Sequence, residues 1–360
     1  MNGRKAAPLT WLTVSSALLA AGCSPLYITQ AVYQESLILL KRRSISEVIA
    51  NPNTPTSLKN KLQLVLDARA FAAQIGLDPG GSFTKYTQLD QDVLTWVLAA
   101  SRPDAFELKQ WWFPFVGRIP YQGFFAKADA LSAAAALQEQ GYETSIRGAD
   151  AFSTLGWFSD PVLSTTLKRS DPSIIETVLH ESTHSTLWLP GHVDFNESFA
   201  NFVGLQGTLD YYEAKLKKCS ESACASDMSA AHRLALEHRT RQFELGGVIS
   251  KLYQQLDLLY KSDLSKEEKL SRRVLIFEEE TAGFRARYPQ RQIFTSINNA
   301  DIIQLKLYFT ALDEFEALYK KQAGDWPLFF SAARRIMKES RQGQPPFALL
   351  KQEALSDLQP

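Results

Sequence analysis

Apolar residues change their period along this chain, and the changes divide it into zones. Over residues 27–75 they recur at helical spacing: Ile38, Leu39, Leu40, Ile45, Val48 and Ile49, then Leu58, Leu62, Leu64, Val65, Leu66 and Phe71. Asn51-Pro52-Asn53-Thr54-Pro55 separates the two helices this predicts. Between residues 78 and 207 the pattern is mixed. Residues 95–99, 113–119, 142–146 and 151–158 read as strands, and an Ala-rich helix over 127–140 ends at Gly141, a suitable cap. From 208 onward the chain is strongly helical, with Leu252, Leu256, Leu258 and Leu259 before a charged loop near 261–268, and one long helix over 300–321 carrying Ile303, Leu307, Leu312 and Phe315. The fold class expected is α+β, predominantly helical, with a small sheet in residues 78–207 flanked by helical regions at 23–77 and 208–360.

One helix of the mixed zone carries chemistry. Asp171-Pro172 is a good start, with Asp as cap and Pro at the first helical position. Residues 173–188 follow with Ile174, Ile175, Val178, Leu179, Leu187 and Trp188 and no internal Gly or Pro, until Leu189-Pro190-Gly191 stops them. Inside lies His180-Glu181-Ser182-Thr183-His184. Two histidines four apart on a helix project from one side and can hold one Zn²⁺, and the glutamate beside the first can act as general base on a metal-activated water.

A catalytic zinc takes three protein ligands and an open position. His192, Asp194 and Glu197 are the nearby candidates. A metzincin needs Gly and His three and six residues after the second histidine, where this chain has Leu187 and Pro190. Glu197 is the choice, opening a second helix over 197–204 that returns its carboxylate to the imidazoles. The competing reading is a capping box, with Asp194 as cap and Glu197 reaching back to its N–H. Asn201, one turn on, is a candidate partner for His180. A donor to the developing oxyanion is also required, for which His192, Tyr211, Tyr212 and Tyr308 are candidates.

The amino terminus sets an expected compartment. Arg4 and Lys5 precede an apolar run over 9–21, too short to span a bilayer and suited to a signal peptide. It ends Leu19-Ala20-Ala21-Gly22-Cys23, which resembles a bacterial lipobox and implies cleavage after residue 22 and lipidation of Cys23. Ser24 after the cysteine favours the outer membrane. The expectation is a lipid-anchored, periplasm-facing protein of the cell envelope. Cys219 and Cys224 would then meet an oxidising setting, and a local disulfide between them implies a break in any helix there.

Composition narrows the partners. Of 360 residues, 45% are apolar and 22% charged, enough for a large core, and 39 basic residues balance 39 acidic ones. Nothing in that balance points to nucleic acid or to a basic membrane-binding surface.

The His-Glu-x-x-His and Asn196-Glu197 pair looks like the gluzincin pattern, with a shorter spacer than in thermolysin-like enzymes. Phe113-Pro114-x-Val116-Gly117-Arg118-x-Pro120-Tyr121-x-Gly123-Phe124-Phe125, Ser153-Thr154-Leu155-Gly156-Trp157-Phe158-x-Asp160-Pro161-Val162-Leu163 and Phe195-Asn196-Glu197-Ser198-Phe199-Ala200 resemble a bacterial family of putative aminopeptidases. The likeness runs from about Tyr27 to Met337 and includes Asn298-Asn299-Ala300. It implies a gluzincin-like core in which His180, His184 and Glu197 bind zinc and Glu181 is the base. Ser182 and Thr183 stand where that family more often has small apolar residues. The function expected is a zinc-dependent peptidase, an aminopeptidase by the resemblance, acting on peptides. The alternative is a peptidase-like envelope module that binds or scaffolds with little catalysis.

Overall fold

A computed structural model of the protein describes residues 38–113, 117–149 and 160–356. The signal stretch with Cys23 and the strand expected over 151–158 lie outside the described residues. Helices dominate, joined by small sheets, so the chain is a predominantly helical α+β protein.

The amino-terminal helices are α1 (Ile45–Ala50) and α2 (Thr56–Gln74), separated by the Pro-containing turn as the sequence predicts. The short strands β1 (Arg43–Ser44) and β2 (Lys85–Thr87) pair antiparallel, and β2 pairs parallel with β8 (Val162–Leu163). A second sheet has β3 (Thr95–Ser101) at its centre, between β6 (Gln122–Phe124) and β7 (Glu143–Ala149), both antiparallel to it. Helix α3 (Lys127–Glu139) covers this sheet, with Ala134 and Leu137 packing on Leu98 and Ala100. It ends at Gly141, whose φ of +84° is the left-handed conformation that favours glycine.

Two expected elements are broken in two. The strand expected over 113–119 is instead β4 (Trp111–Phe113) and β5 (Gly117–Ile119), paired antiparallel so that Phe113 faces Gly117. In the sequence Pro114, which lacks the N–H a ladder needs, stands between the two strands. The single helix expected over 300–321 is α8 (Asn299–Phe309) and α9 (Leu312–Lys321), with Ala311 between them at φ +58°. No Gly or Pro marks that break, and its cause is tertiary, as described below.

The remaining helices are α4 (Asp171–Thr186), α5 (Val193–Leu216), α6 (Ser222–Tyr260), α7 (Lys266–Arg287), α10 (Trp326–Ser340) and α11 (Pro346–Leu355). Cys219 and Cys224 form a disulfide across the break between α5 and α6. One hydrophobic core collects residues from all three sequence zones. Ile174, Ile175, Val178 and Leu179 of α4 are buried in it, together with Leu62 and Val65 of α2. Phe195, Phe199 and Phe202, at positions i, i+4 and i+7 of α5, are fully buried against Phe315, Phe329 and Phe330. Burying each such side chain stabilises the fold by about 1.5–3 kcal/mol, so the aromatic stripe fixes the rotation of α5 about its axis. Its other stripe, Glu197, Asn201 and Gly204, is thereby turned towards α4 and α8.

Candidate metal centre

Helix α4 begins one residue earlier than expected, with Ser170 as cap and Pro172 in the first turn. Lys61 of α2 holds this start, donating to the Arg169 carbonyl at 2.9 Å and to the Asp171 carboxylate at 2.6 Å. The helix ends at Thr186, and Leu187 is already extended. Ser182 and Thr183 are buried, and their hydroxyls donate to the carbonyls of Val178 (2.6 Å) and Leu179 (2.8 Å). Each polar group is thus satisfied within its own helix, so both positions tolerate a hydroxyl where an apolar residue would serve.

His180 and His184 bring their Nε2 atoms to 3.1 Å of each other. Glu197 meets both: Oε2 lies 3.3 Å from His180 Nε2 and Oε1 lies 3.5 Å from His184 Nε2. All three ligand atoms fall within 4.8 Å, and the group could hold a metal ion. Helix α5 starts at Val193, four residues before the expected opening, so Glu197 lies in its second turn. The capping-box reading fails. The cap is His192, Asp194 accepts from the N–H of Phe195 at 2.9 Å, and Glu197 is turned to the histidines. Neither His192 nor Asp194 belongs to the converging ligand group.

Asn196, buried beside Glu197, explains how the carboxylate is aimed. Its side chain accepts from the N–H of Leu189 at 2.9 Å and donates to the carbonyl of the same residue at 2.8 Å. This two-point clasp fixes the turn from α4 into α5. Asn196→Ala would leave the Leu189 N–H without its partner, while the Leu189 carbonyl keeps the His192 N–H at 3.3 Å, and a loss of about 1–3 kcal/mol in unfolding free energy is expected by denaturant titration. A variant as stable as the wild type would show that water replaces the clasp.

Close approach of α4 and α5 completes the arrangement. A Cβ at Gly204 would stand 3.0 Å from the Glu176 carbonyl oxygen and 3.5 Å from His180 Cβ, and one at Gly207 would stand 2.8 Å from Leu179 Cδ1. Absent side chains at these two positions let the helices touch, and with them the ligand atoms.

The electrostatics follow from burial. Burial alone would raise Glu197, but hydrogen bonds and charge from His180 and His184 outweigh it and hold the carboxyl far below its usual range. Burial would lower His180, yet the Glu197 hydrogen bond and the charges of Glu181, Glu197 and Glu176 raise it. Two atoms are left over. His184 Nδ1 and Glu181 Oε2 are buried without a hydrogen-bond partner among the described residues. A buried carboxylate oxygen so placed is uncommon in a folded protein and marks a group kept for something other than stability.

Of the tyrosines named from sequence, the structure brings Tyr308 to the site. Its ring centroid lies 6.3 Å from that of His180. Helix α8 is tied to β7 at its start, where Asn298 donates to the Thr144 carbonyl (3.0 Å) and the N–H of Asn299 donates to Glu143 (3.0 Å). At its end, Ser198 donates to the Leu307 carbonyl (2.9 Å) and accepts from the N–H of Thr310 (3.1 Å), while Asn201 donates to the Tyr308 carbonyl (2.7 Å). These side chains of α5 capture the last turn of α8 and end the helix. Asn201 therefore holds the backbone of Tyr308, not the His180 ring. Tyr211 and Tyr212 lie fourteen or more residues along α5 from Glu197, roughly 20 Å away. They are buried in the core, Tyr211 edge-on to Phe71 at 5.5 Å.

Two residues were not singled out from sequence. Burial, then the Glu197 charge, raises the phenols of both Tyr308 and Tyr121, and Arg147 opposes this in both. Arg147 of β7 also stacks over the Tyr308 ring at 5.5 Å and donates to Gln304 at 3.0 Å. Tyr121 stands in the aromatic stretch 111–125, a signal for pocket lining. Arg147 carried no signal, because only the β3–β7 register puts it there.

A family profile described as "Putative aminopeptidase" matches residues 26–345. The chain belongs to the putative aminopeptidase family. Curated proteins and solved structures were also compared, and none matches. The span matched by this aminopeptidase family holds His180, Glu181, His184 and Glu197, the Asn196 clasp, and both anchors of Tyr308. It also holds a pair outside the ligand set: His238 of α6 lies 2.9 Å from the carboxylate of Glu176, one turn before His180. His238 borders a cavity of about 650 Å³, lined also by Glu237, Arg241 and Arg291, which contains none of the four site residues.

Proposed function

We propose that the protein is a zinc-dependent peptidase, an aminopeptidase in line with its family, in which His180, His184 and Glu197 hold Zn²⁺ and Glu181 is the general base. The spacing of the three donor atoms carries this reading. Ligands about 2.0–2.1 Å from a tetrahedral zinc stand about 3.3 Å apart, and the atoms here are separated by 3.1, 3.3 and 3.5 Å. The neutral imidazoles and ionised carboxylate that zinc requires are also what an ion at this point would enforce.

Zinc, when bound, supplies a Lewis acid that polarises a peptide carbonyl and makes water a better nucleophile. Glu181 takes the proton of the attacking water at Oε2, its unpartnered oxygen, and delivers it to the leaving amine. Tyr308, whose ring stands 6.3 Å from that of His180, carries a phenol proton at working pH and is the donor to the developing oxyanion. The sequence-based placement completes the proposal: export, and a lipid anchor at Cys23 facing the periplasm from the outer membrane.

Metal analysis of purified protein should give one zinc per chain, and a broad peptide library with free amino termini should be cleaved one residue at a time. Glu197→Ala should lose both metal and cleavage. Stoichiometric zinc with no cleavage of any peptide would sink the enzyme reading and leave a binding module.

Zinc loading should depend on pH. His180 must lose its proton to ligate, and its neighbours hold that proton more tightly than usual. Affinity should therefore fall as pH drops from 8 to 6, by up to about tenfold per unit for one displaced proton. A flat chelator-competition titration over that range would contradict this.

A further inference from the structure

Beyond the ligand set, a cavity of about 390 Å³ opens at the carboxy-terminal end of α4. His184 forms part of its wall, and Ser185 and Trp188 lie beside it. The Trp188 ring meets the His184 ring edge-on at 5.4 Å, so the space begins one ring away from the metal-ligating atoms. Its volume is that of a small-ligand site, typically about 300–1,000 Å³.

The opposite wall is cationic. Arg334, Lys338 and Arg341 stand at positions i, i+4 and i+7, one stripe of α10 and its cap, and all three line the cavity. No carboxylate lines it, in a chain whose 39 basic residues are balanced by 39 acidic ones. Arg335, next to this stripe, is paired with Glu353. Arg341 donates to the Trp188 carbonyl at 3.3 Å. Arg334 and Lys338 make no ion pair among the described residues. The end of α4 offers a structural use for one positive charge, since a helix carboxy terminus carries about half a negative charge. Three cations exceed that by far, and like charges so grouped repel until a counter-charge arrives.

We propose that this cavity is a substrate subsite that selects carboxylates, making acidic peptides the preferred substrate class. The inference rests on the peptidase reading, because a peptide is what reaches from the metal centre into the cavity. Arg334 and Arg341 offer planar forks suited to a carboxylate, Lys338 adds a point charge, and Trp188 gives the side-chain stem an apolar face. The carboxylate is either an Asp or Glu side chain or the peptide's own terminus.

The test uses the zinc-loaded full chain and ten-residue Ala-based peptides with free amino termini. Glu or Gln is placed at each position in turn, and a second set compares free with amidated carboxy termini. At one position, or at the terminus, the acid should exceed the amide by about tenfold or more in kcat/KM, chiefly through KM, as one charge-assisted hydrogen bond predicts. Arg334→Gln/Lys338→Gln, two exposed substitutions, should bring that ratio to about one. Binding of fluorescein-labelled versions of the same peptides to the zinc-loaded Glu181→Gln chain is read in parallel by anisotropy. A ratio near one throughout, in cleavage and binding, overturns the subsite while leaving the peptidase reading intact. A preference that survives the double substitution overturns it as well. Preferential binding that the double substitution abolishes, with no cleavage by the wild type, supports the subsite and refutes the peptidase.

Discussion

Glu181→Gln should abolish most hydrolysis while leaving zinc in place and the fold intact. A general base of this kind contributes about 10²–10⁴-fold to the rate, so that is the expected fall in kcat/KM. The substitution keeps the side chain's shape and removes only its charge and basicity. Stability should change little, because the Glu181 Oε2 makes no hydrogen bond that the substitution would remove. Loss of activity with unchanged thermal midpoint and one zinc per chain separates a catalytic role from a structural one. Activity above a tenth of wild type would place the base elsewhere, and loss of zinc would make Glu181 part of the metal's support.

Gly204→Val should lower stability and zinc affinity together. Here two effects of opposite sign must be weighed. A helical glycine is about 0.8–1 kcal/mol worse than alanine, so any side chain gains from propensity, though valine gains less than alanine. Against this, overpacking a filled contact costs about 1–3 kcal/mol. At Gly204 the first obstacle is the backbone oxygen of Glu176, 3.0 Å from the new Cβ, which cannot rotate aside as a side chain would. Alanine should come out near neutral, whereas valine's two further methyls must push α5 away from α4. That motion separates Glu197 from His180 and His184, so denaturant midpoint and chelator-competition affinity should both fall. Gly247, where a Cβ meets nothing within 4 Å, is the control: Gly247→Ala should not destabilise and should leave zinc affinity unchanged. If Gly204→Val kept full zinc affinity, the helix contact would not be what sets the ligand spacing.

How far the site could be read in advance depended on whether the signal was local. The i, i+4 histidines on a helix free of Gly and Pro needed only 3.6-residue periodicity. The buried stripe of Phe195, Phe199 and Phe202, by contrast, starts before the helix expected over 197–204 and emerged only with the packing of α5. Asn201 meets Tyr308 and not His180 because α8, arriving 107 residues on in the chain, packs against it, a contact no local pattern announces. The same arrival explains the unforeseen break after Phe309: Ser198 and Asn201 take its last carbonyls, and no residue near Ala311 announces it. The strand expected over 113–119 is two strands, and the local mark of that difference is Pro114, which cannot donate to a ladder.

By itself the sequence determined the chemistry available: two imidazoles on one helix face with a glutamate beside the first, a second carboxylate on the helix that follows, and the helical bulk that carries them. Those properties are set by neighbours within a few residues, where covalent geometry dictates which side chains share a face. The tertiary structure decided how that chemistry is assembled. The contact through Gly204 and Gly207 set the donor spacing, the Asn196 clasp aimed Glu197, and the β3–β7 register with the captured end of α8 delivered Arg147 and Tyr308. These depend on which surfaces meet, a matter of packing between distant segments that no local pattern encodes.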